Sequence, residues 1–146
     1  MTKMTWLLPQ TPVTDEDLRN FESLSGLPLP EDFKSWLFKH NGACPEPAEL
    51  RLEKRYTIII NSFLSFSEKD SPNVLVLFNM MRHRLPDGLC PIAEDHAGNY
   101  ICFRYSSRNI APDLVFWDHE EADPSIAVVS IATSFTELIR LLEKKV

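Results

Sequence analysis

Glycine is scarce, with four residues in 146. Gly26, Gly42, Gly88 and Gly98 stand far apart. No glycine-rich loop is therefore available to cradle a phosphate, and no G-x-S-x-G turn presents a nucleophilic serine. Cysteine is scarcer still. Cys44, Cys90 and Cys102 are odd in number and widely spaced, which argues against a disulfide scaffold and predicts three free thiols in a reducing cytosol. Positive charge is the minority sign: 15 Lys and Arg face 21 Asp and Glu, for a net charge of −6. A phosphate backbone is repelled by such a surface, so nucleic acid is not expected as a direct partner, whereas a basic protein is attracted. Long apolar runs are missing as well. A membrane-spanning helix needs about 18 consecutive apolar residues, and the longest run here, Ile126 to Ala132, is broken by Ser130 and reads as a buried strand. The opening MTKMTWLLPQ holds only Trp6 to Leu8 before Pro9, too short for the core of a signal peptide.

What is present suits one globular domain. A chain of 146 residues buries roughly 70% of its unfolded surface, enough for a core without a disulfide or metal staple. The expected organisation is a single domain over residues 1–146, with residues 1–13 as an N-terminal extension. A first helix is predicted over Asp15 to Ser25, capped by Thr14, opened by Asp15, Glu16 and Asp17 and ended by Gly26. A second is predicted from LPEDFKSWLFKHNG. There Pro30 suits the first helical position, Phe33, Trp36, Leu37 and His40 repeat at i, i+3, i+4, i+7, and Asn41-Gly42 supplies the stop. Cys44 to Glu49 reads as a proline-rich loop, and Arg55 to Phe66 as a strand. Val74, Leu77, Phe78, Met81 and Leu85 form a third helix after Ser71-Pro72. Short strands follow at Leu89 to Ala93, Tyr100 to Tyr105, Leu114 to Asp118 and Ala127 to Ile131, with Asp95 to Asn99 as a hairpin loop. The last helix opens on the capping box Ser134-Phe135-Thr136-Glu137, with Lys144 and Lys145 near its end. This order predicts an α+β fold. Its sheet is mostly antiparallel and twisted, covered on one face by the N-terminal helix pair and the C-terminal helix.

Candidate chemistry is thin. His119 to Asp123 spells HEEAD, but a zincin helix needs its second His where Asp123 stands, and Pro124 follows. A solvated acidic loop is the better reading. Asp95, His96, Asp118 and His119 lie at predicted strand ends, and two His with two Asp are a possible metal set or hydrolytic centre if their strands are neighbours. Neither segment has dense ligand spacing. Cys90 and Cys102 sit among apolar strand residues, the setting of an inert thiol. Paired carboxylates such as Glu94-Asp95 and Glu120-Glu121 fall in turns, where nothing raises a pKa for acid catalysis. No catalytic residue, cofactor or metal is assigned. Phe116 and Trp117 must face opposite sides of their strand, so one large aromatic is left for the second face, either covered by a loop or free as a contact anchor. The remaining bias is acidic. Glu94, Asp95, His96, Trp117, Asp118, His119, Glu120 and Glu121 form a candidate docking surface for a basic protein partner.

Three segments taken in order say more. The first is T-D-E-D-L-x-x-F-E from Thr14, then G-L-P-L-P-E-D-F-K-S-W-L, then H-N-G-A-C-P. The second is P-I-A-E-D-H-A-G-N-Y-I-C-F from Pro91 to Phe103. The third is V-F-W-D-H-E from Val115 to Glu120, followed by I-A-T-S-F-T-E-L-I to Ile139. This pattern resembles the SUKH superfamily, which includes the fungal Smi/Knr cell-wall regulators. Ala43 departs from it, standing where a second glycine is frequent. The resemblance implies fold-defining roles for Phe21, Glu22, Pro30, Phe33, Asn41, Gly42, Gly98, Trp117 and Asp118, and carries no catalytic residue. For a bacterial single-domain member it implies an immunity protein that binds and neutralises a toxin, commonly a nuclease. The alternatives are a regulatory interaction domain of the Smi/Knr type and a small hydrolase or metal enzyme using the Asp–His pairs.

Overall fold

A computed structural model of the chain describes residues 3–52, 56–107 and 110–144; the readings at Arg55 and Lys145 lie outside them. The elements in order are β1 (Thr5–Leu7), α1 (Asp15–Ser25), α2 (Glu31–His40), β2 (Cys44–Glu46), β3 (Glu49–Leu52), β4 (Tyr56–Phe63), α3 (Val74–Met81), β5 (Leu89–Asp95), β6 (Tyr100–Arg104), β7 (Asp113–Trp117), α4 (Pro124–Ala127), β8 (Val128–Ala132) and α5 (Phe135–Glu143). Strands β3 to β8 pair with their chain neighbours in one six-stranded antiparallel sheet, and β1 pairs with β2 in a separate two-stranded one. The fold is α+β, as the pattern predicts.

Helix boundaries follow local chemistry. Thr14 and Asp17 cap α1 reciprocally, and Gly26 ends it at φ 75°. Glu22 leaves α1 to accept from the Leu29 amide at 2.7 Å and to meet Lys34 at 3.3 Å, which sets the turn into α2. Pro30 caps α2 from outside the helix rather than starting it. Ser134 caps α5 through the Glu137 amide, but the Glu137 carboxylate reaches Thr133 N instead of closing the box on Ser134. Asp32 adds a second acceptor there, taking bonds from Thr136 N and Oγ1 and so pinning the start of α5 to that of α2.

Two expectations change among the N-terminal strands. Cys44 to Glu49 is not a loop: Cys44–Glu46 is β2, and Glu49 begins β3. The sequence signals no strand at Thr5–Leu7, yet β1 forms because β2 offers a free edge. Three-residue strands carry too few positions for periodicity to show.

Strand alternation divides the core. Ile101, Phe103, Leu114 and Phe116 face the main cluster with Phe21, Phe33, Trp36 and Leu138 from α1, α2 and α5. The other side of the sheet carries a smaller cluster of Leu89, Cys102, Val115 and Trp117 under Met81 and Ala127. Cys90 and Cys102, on adjacent strands, therefore belong to opposite sides of the sheet, while Cys44 is half-buried. Burial pushes the Cys90 thiol up to about 12 and raises Cys102 as well. A thiol reagent should label Cys44 first in the native protein and reach the other two only on unfolding, for three thiols in all. A count of one after unfolding without reductant would establish a native disulfide.

The segment entering α1 is locked to the loop after β4. Asp70 accepts from Ser65 Oγ at 2.5 Å, Thr11 Oγ1 at 2.6 Å and Thr11 N at 3.1 Å. Burial alone would raise the Asp70 carboxyl, but the bonds from Ser65 and Thr11 outweigh it and hold the group below its ordinary value. The stabilisation is thus present above the unfolded pKa and lost as pH falls through the folded one. Asp70→Asn should cost stability at pH 7, and the gap from wild type should narrow in acid denaturation below about pH 4. A gap independent of pH would mean that the carboxylate charge is not what Ser65 and Thr11 hold.

Candidate functional site

The candidate surface is built where two strand ends meet. Tyr100 at the start of β6 pairs with Trp117 at the end of β7. The β5–β6 hairpin and the loop after β7 therefore leave the same end of the sheet. Asn99 joins them. Its Oδ1 accepts from the His119 amide at 3.2 Å and lies 2.7 Å from His119 Nδ1. That contact requires the ring proton on Nδ1, leaving Nε2 toward Glu120, 3.8 Å away. The structure thus brings His96 and the Asp118–Glu121 loop to one rim. Asn99 is the connector that sequence reading passed over; as one more polar turn residue it gave no signal of a partner twenty positions on.

Not every candidate reaches the surface. Asp95 is 5% exposed. Its Oδ1 accepts from the amides of Ala97 at 2.9 Å and Asn99 at 2.7 Å, so the carboxylate builds the turn. Gly98 supports that turn at φ 82°. Trp117 is 4% exposed. It stacks near Tyr100 with centroids 6.1 Å apart and meets the His119 ring edge-on at 6.4 Å. With Met81 and Ala127 packed against it, Trp117 is a floor beneath the rim and not an anchor upon it.

The remaining acids face outward. Glu120, Glu121 and Asp123 are exposed, and Glu94 and Asp118 are half-buried. Several also shape their own loop: Asp118 Oδ1 accepts from Glu120 N, Glu121 from Asp123 N, and Asp123 Oδ1 from Ser125 N and Oγ. The backbone bond from Ser125 comes first among the causes that lower the Asp123 carboxyl. Glu94 lies opposite Tyr100; burial first, and then this negative neighbour, push the Tyr100 phenol up. Among the described residues, none of these five carboxylates pairs with a Lys or Arg.

Two apolar residues border the rim. The Ile59 carbonyl accepts from His96 N at 3.1 Å, and the Ile59 side chain is 41% exposed. Ile126, read from sequence as the start of a buried strand, is 54% exposed on α4. The Ala127 carbonyl accepts from Asp118 N and ties that helix to the rim. Asp123 is the N-cap of α4, so HEEAD is a turn leading into a cap and not a helix carrying two ligands. Among the described residues, no three His, Cys, Asp or Glu side chains converge as a metal site requires.

Comparison with known proteins bears on the whole fold around this rim. The model of the SMI1 / KNR4 family (SUKH-1) matches residues 12–141. The chain belongs to this family. It is also similar to an SPbeta prophage-derived uncharacterized protein, YokK, of Bacillus subtilis (strain 168), at 26% identity over 144 residues, covering 86% of this chain and 72% of that protein. The SUKH match begins at Pro12, just after the Thr11 clamp, so β1 precedes it, whereas both rim loops lie inside it. Among the described residues, no helix is long and apolar enough to cross a membrane.

Proposed function

We propose that this SUKH domain is an immunity protein that binds a toxin domain in the cytoplasm and neutralises it by occlusion, without chemistry of its own. The observation that carries the reading is the rim: carboxylates that, among the described residues, pair with no Lys or Arg, gathered where the β5–β6 hairpin and the loop after β7 meet and bordered by Ile59 and Ile126. A nuclease must hold phosphates, so its cleft carries positive potential. A carboxylate rim is complementary to that cleft and speeds encounter with it. Isolated exposed pairs contribute only about 0–1 kcal/mol each. Most of the affinity therefore falls to desolvated contacts around the two isoleucines, and most of the association rate to the acids.

The test is Glu120→Lys with Glu121→Lys, two exposed positions, measured against the toxin domain whose harm to cells the unsubstituted chain relieves. At low salt the association rate should fall about tenfold or more, and at high salt the difference should shrink. The far-UV spectrum should not change. Unchanged association together with unchanged protection of toxin-expressing cells would place the docking surface elsewhere.

A further inference from the structure

The N-terminal strand is attached differently from the rest of the fold. Thr5, Trp6 and Leu7 pair with Glu46, Pro45 and Cys44, outside the six-stranded sheet. The Trp6 ring covers an aromatic seat made by Trp36 (centroids 5.1 Å apart), His40 (5.6 Å) and Phe63 (5.9 Å). Behind this arm the chain is fixed. Gln10 N donates to the Asn41 carbonyl at 2.8 Å, and Thr11 is held by Asp70 and Asn41.

Between the arm and its fixed point lies a strained hinge. Leu8 has φ 51°, the one non-glycine residue at positive φ among those described, and is 79% exposed. A side chain in that region crowds the following carbonyl, a cost that glycine escapes. Leu8 also precedes Pro9, whose ring biases the residue before it toward extended backbone. An extended Leu8 relieves both conflicts, but it carries β1 away from its own β2.

We propose that two copies of the chain exchange these arms, each β1 pairing with the β2 of the other copy. The vacated seat fits an identical arm by construction. The ladder and the Trp6 contacts are kept, while two hinges relax; short strained hinges favour such exchange.

Leu7 and Cys44 are Cα partners in the ladder. Facing residues of an antiparallel pair lie roughly 4.5–5.5 Å apart at Cα, within reach of a disulfide. Leu7→Cys therefore offers a trap, because Cys90 and Cys102 are buried and stay out of it. Mild oxidation of the native variant should bridge the introduced thiol to Cys44 of the same chain in the closed form, and to Cys44 of a second copy in the exchanged form. Non-reducing electrophoresis should show a covalent dimer beside the monomer. Adding Leu8→Gly, which removes the strain of the closed hinge, should move the bridge to the intrachain form. Without oxidation, sedimentation equilibrium should find a dimer of the unsubstituted chain, and Leu8→Gly should weaken it by about tenfold or more. Intrachain bridges alone at every protein concentration, or a dimer that Leu8→Gly leaves unchanged, would overturn the exchange.

Discussion

Phe33→Ala should lower the unfolding free energy by about 4 kcal/mol, the middle of the range for emptying a buried aromatic site. The Phe33 ring is fully buried. It meets Phe103 from the sheet at 5.0 Å, Phe135 from α5 at 4.9 Å and Phe66 from the loop after β4 at 5.4 Å, all edge-to-face, and stacks on Trp36 at 5.9 Å. Edge-to-face pairs bring electropositive ring edges onto electronegative faces and add to simple burial. One side chain thus joins α2, the sheet, α5 and the post-β4 loop, and its removal cannot be healed by a shift of any single element. Thermal unfolding followed by circular dichroism should show a midpoint about 10 °C lower or more. Phe33→Leu, which keeps most of the volume and loses the ring geometry, should recover over half of the loss. If Phe33→Ala cost under about 1 kcal/mol, the packing around this ring would have to be loose.

Asn41→Ala should cost about 3 kcal/mol, for a different reason. Asn41 is buried and its amide is used at both ends. Nδ2 donates to the Thr11 carbonyl at 2.7 Å and to Ser65 Oγ at 3.0 Å, and Oδ1 accepts from Phe66 N at 2.8 Å. Ser65 is saturated in turn: it donates to Asp70 and accepts from Asn41 and from Ser67 N. Alanine strands the Phe66 amide and the Thr11 carbonyl, and stranded buried groups cost more than the bonds contribute. Asn41→Asp separates the roles. It keeps an acceptor for Phe66 N but sets a second carboxylate against Ser65, whose one proton already goes to Asp70. That variant should be strongly destabilised at pH 7, and its deficit relative to wild type should shrink as pH falls and the new carboxyl is protonated. Denaturant unfolding at pH 7 and pH 5 measures both effects. If Asn41→Asp were no less stable than wild type at pH 7, the polar node would not depend on an amide at this position.

Much of this fold was legible in the chain before any coordinates. Thr14 and Gly26 mark the ends of α1 because capping and left-handed termination are settled within four residues. Phe33, Trp36 and Leu37 declare the buried face of α2 because a helix repeats every 3.6 residues, whatever it packs against. The hairpin at Asp95–Asn99 and the α+β order were readable on the same local grounds, as was the resemblance that the SUKH-1 match bears out.

Only the tertiary structure decided what depends on partners distant along the chain. β1 and β2 exist because each supplies the other with an edge, and neither three-residue run signals that by itself. Asn41 reads locally as a helix stop, whereas its side chain answers to Thr11 and Phe66, thirty residues before and twenty-five after. Asp95 and Trp117 look like surface candidates in sequence. Asp95 is drawn in because two turn amides need an acceptor, and Trp117 because α3 and α4 roof the second sheet face. Ile126 goes the other way, exposed because α4 turns it out. Periodicity tells a residue which way to face along its own element. Whether that face meets water or another element is a long-range property, set by which strands pair and which helices find room against them.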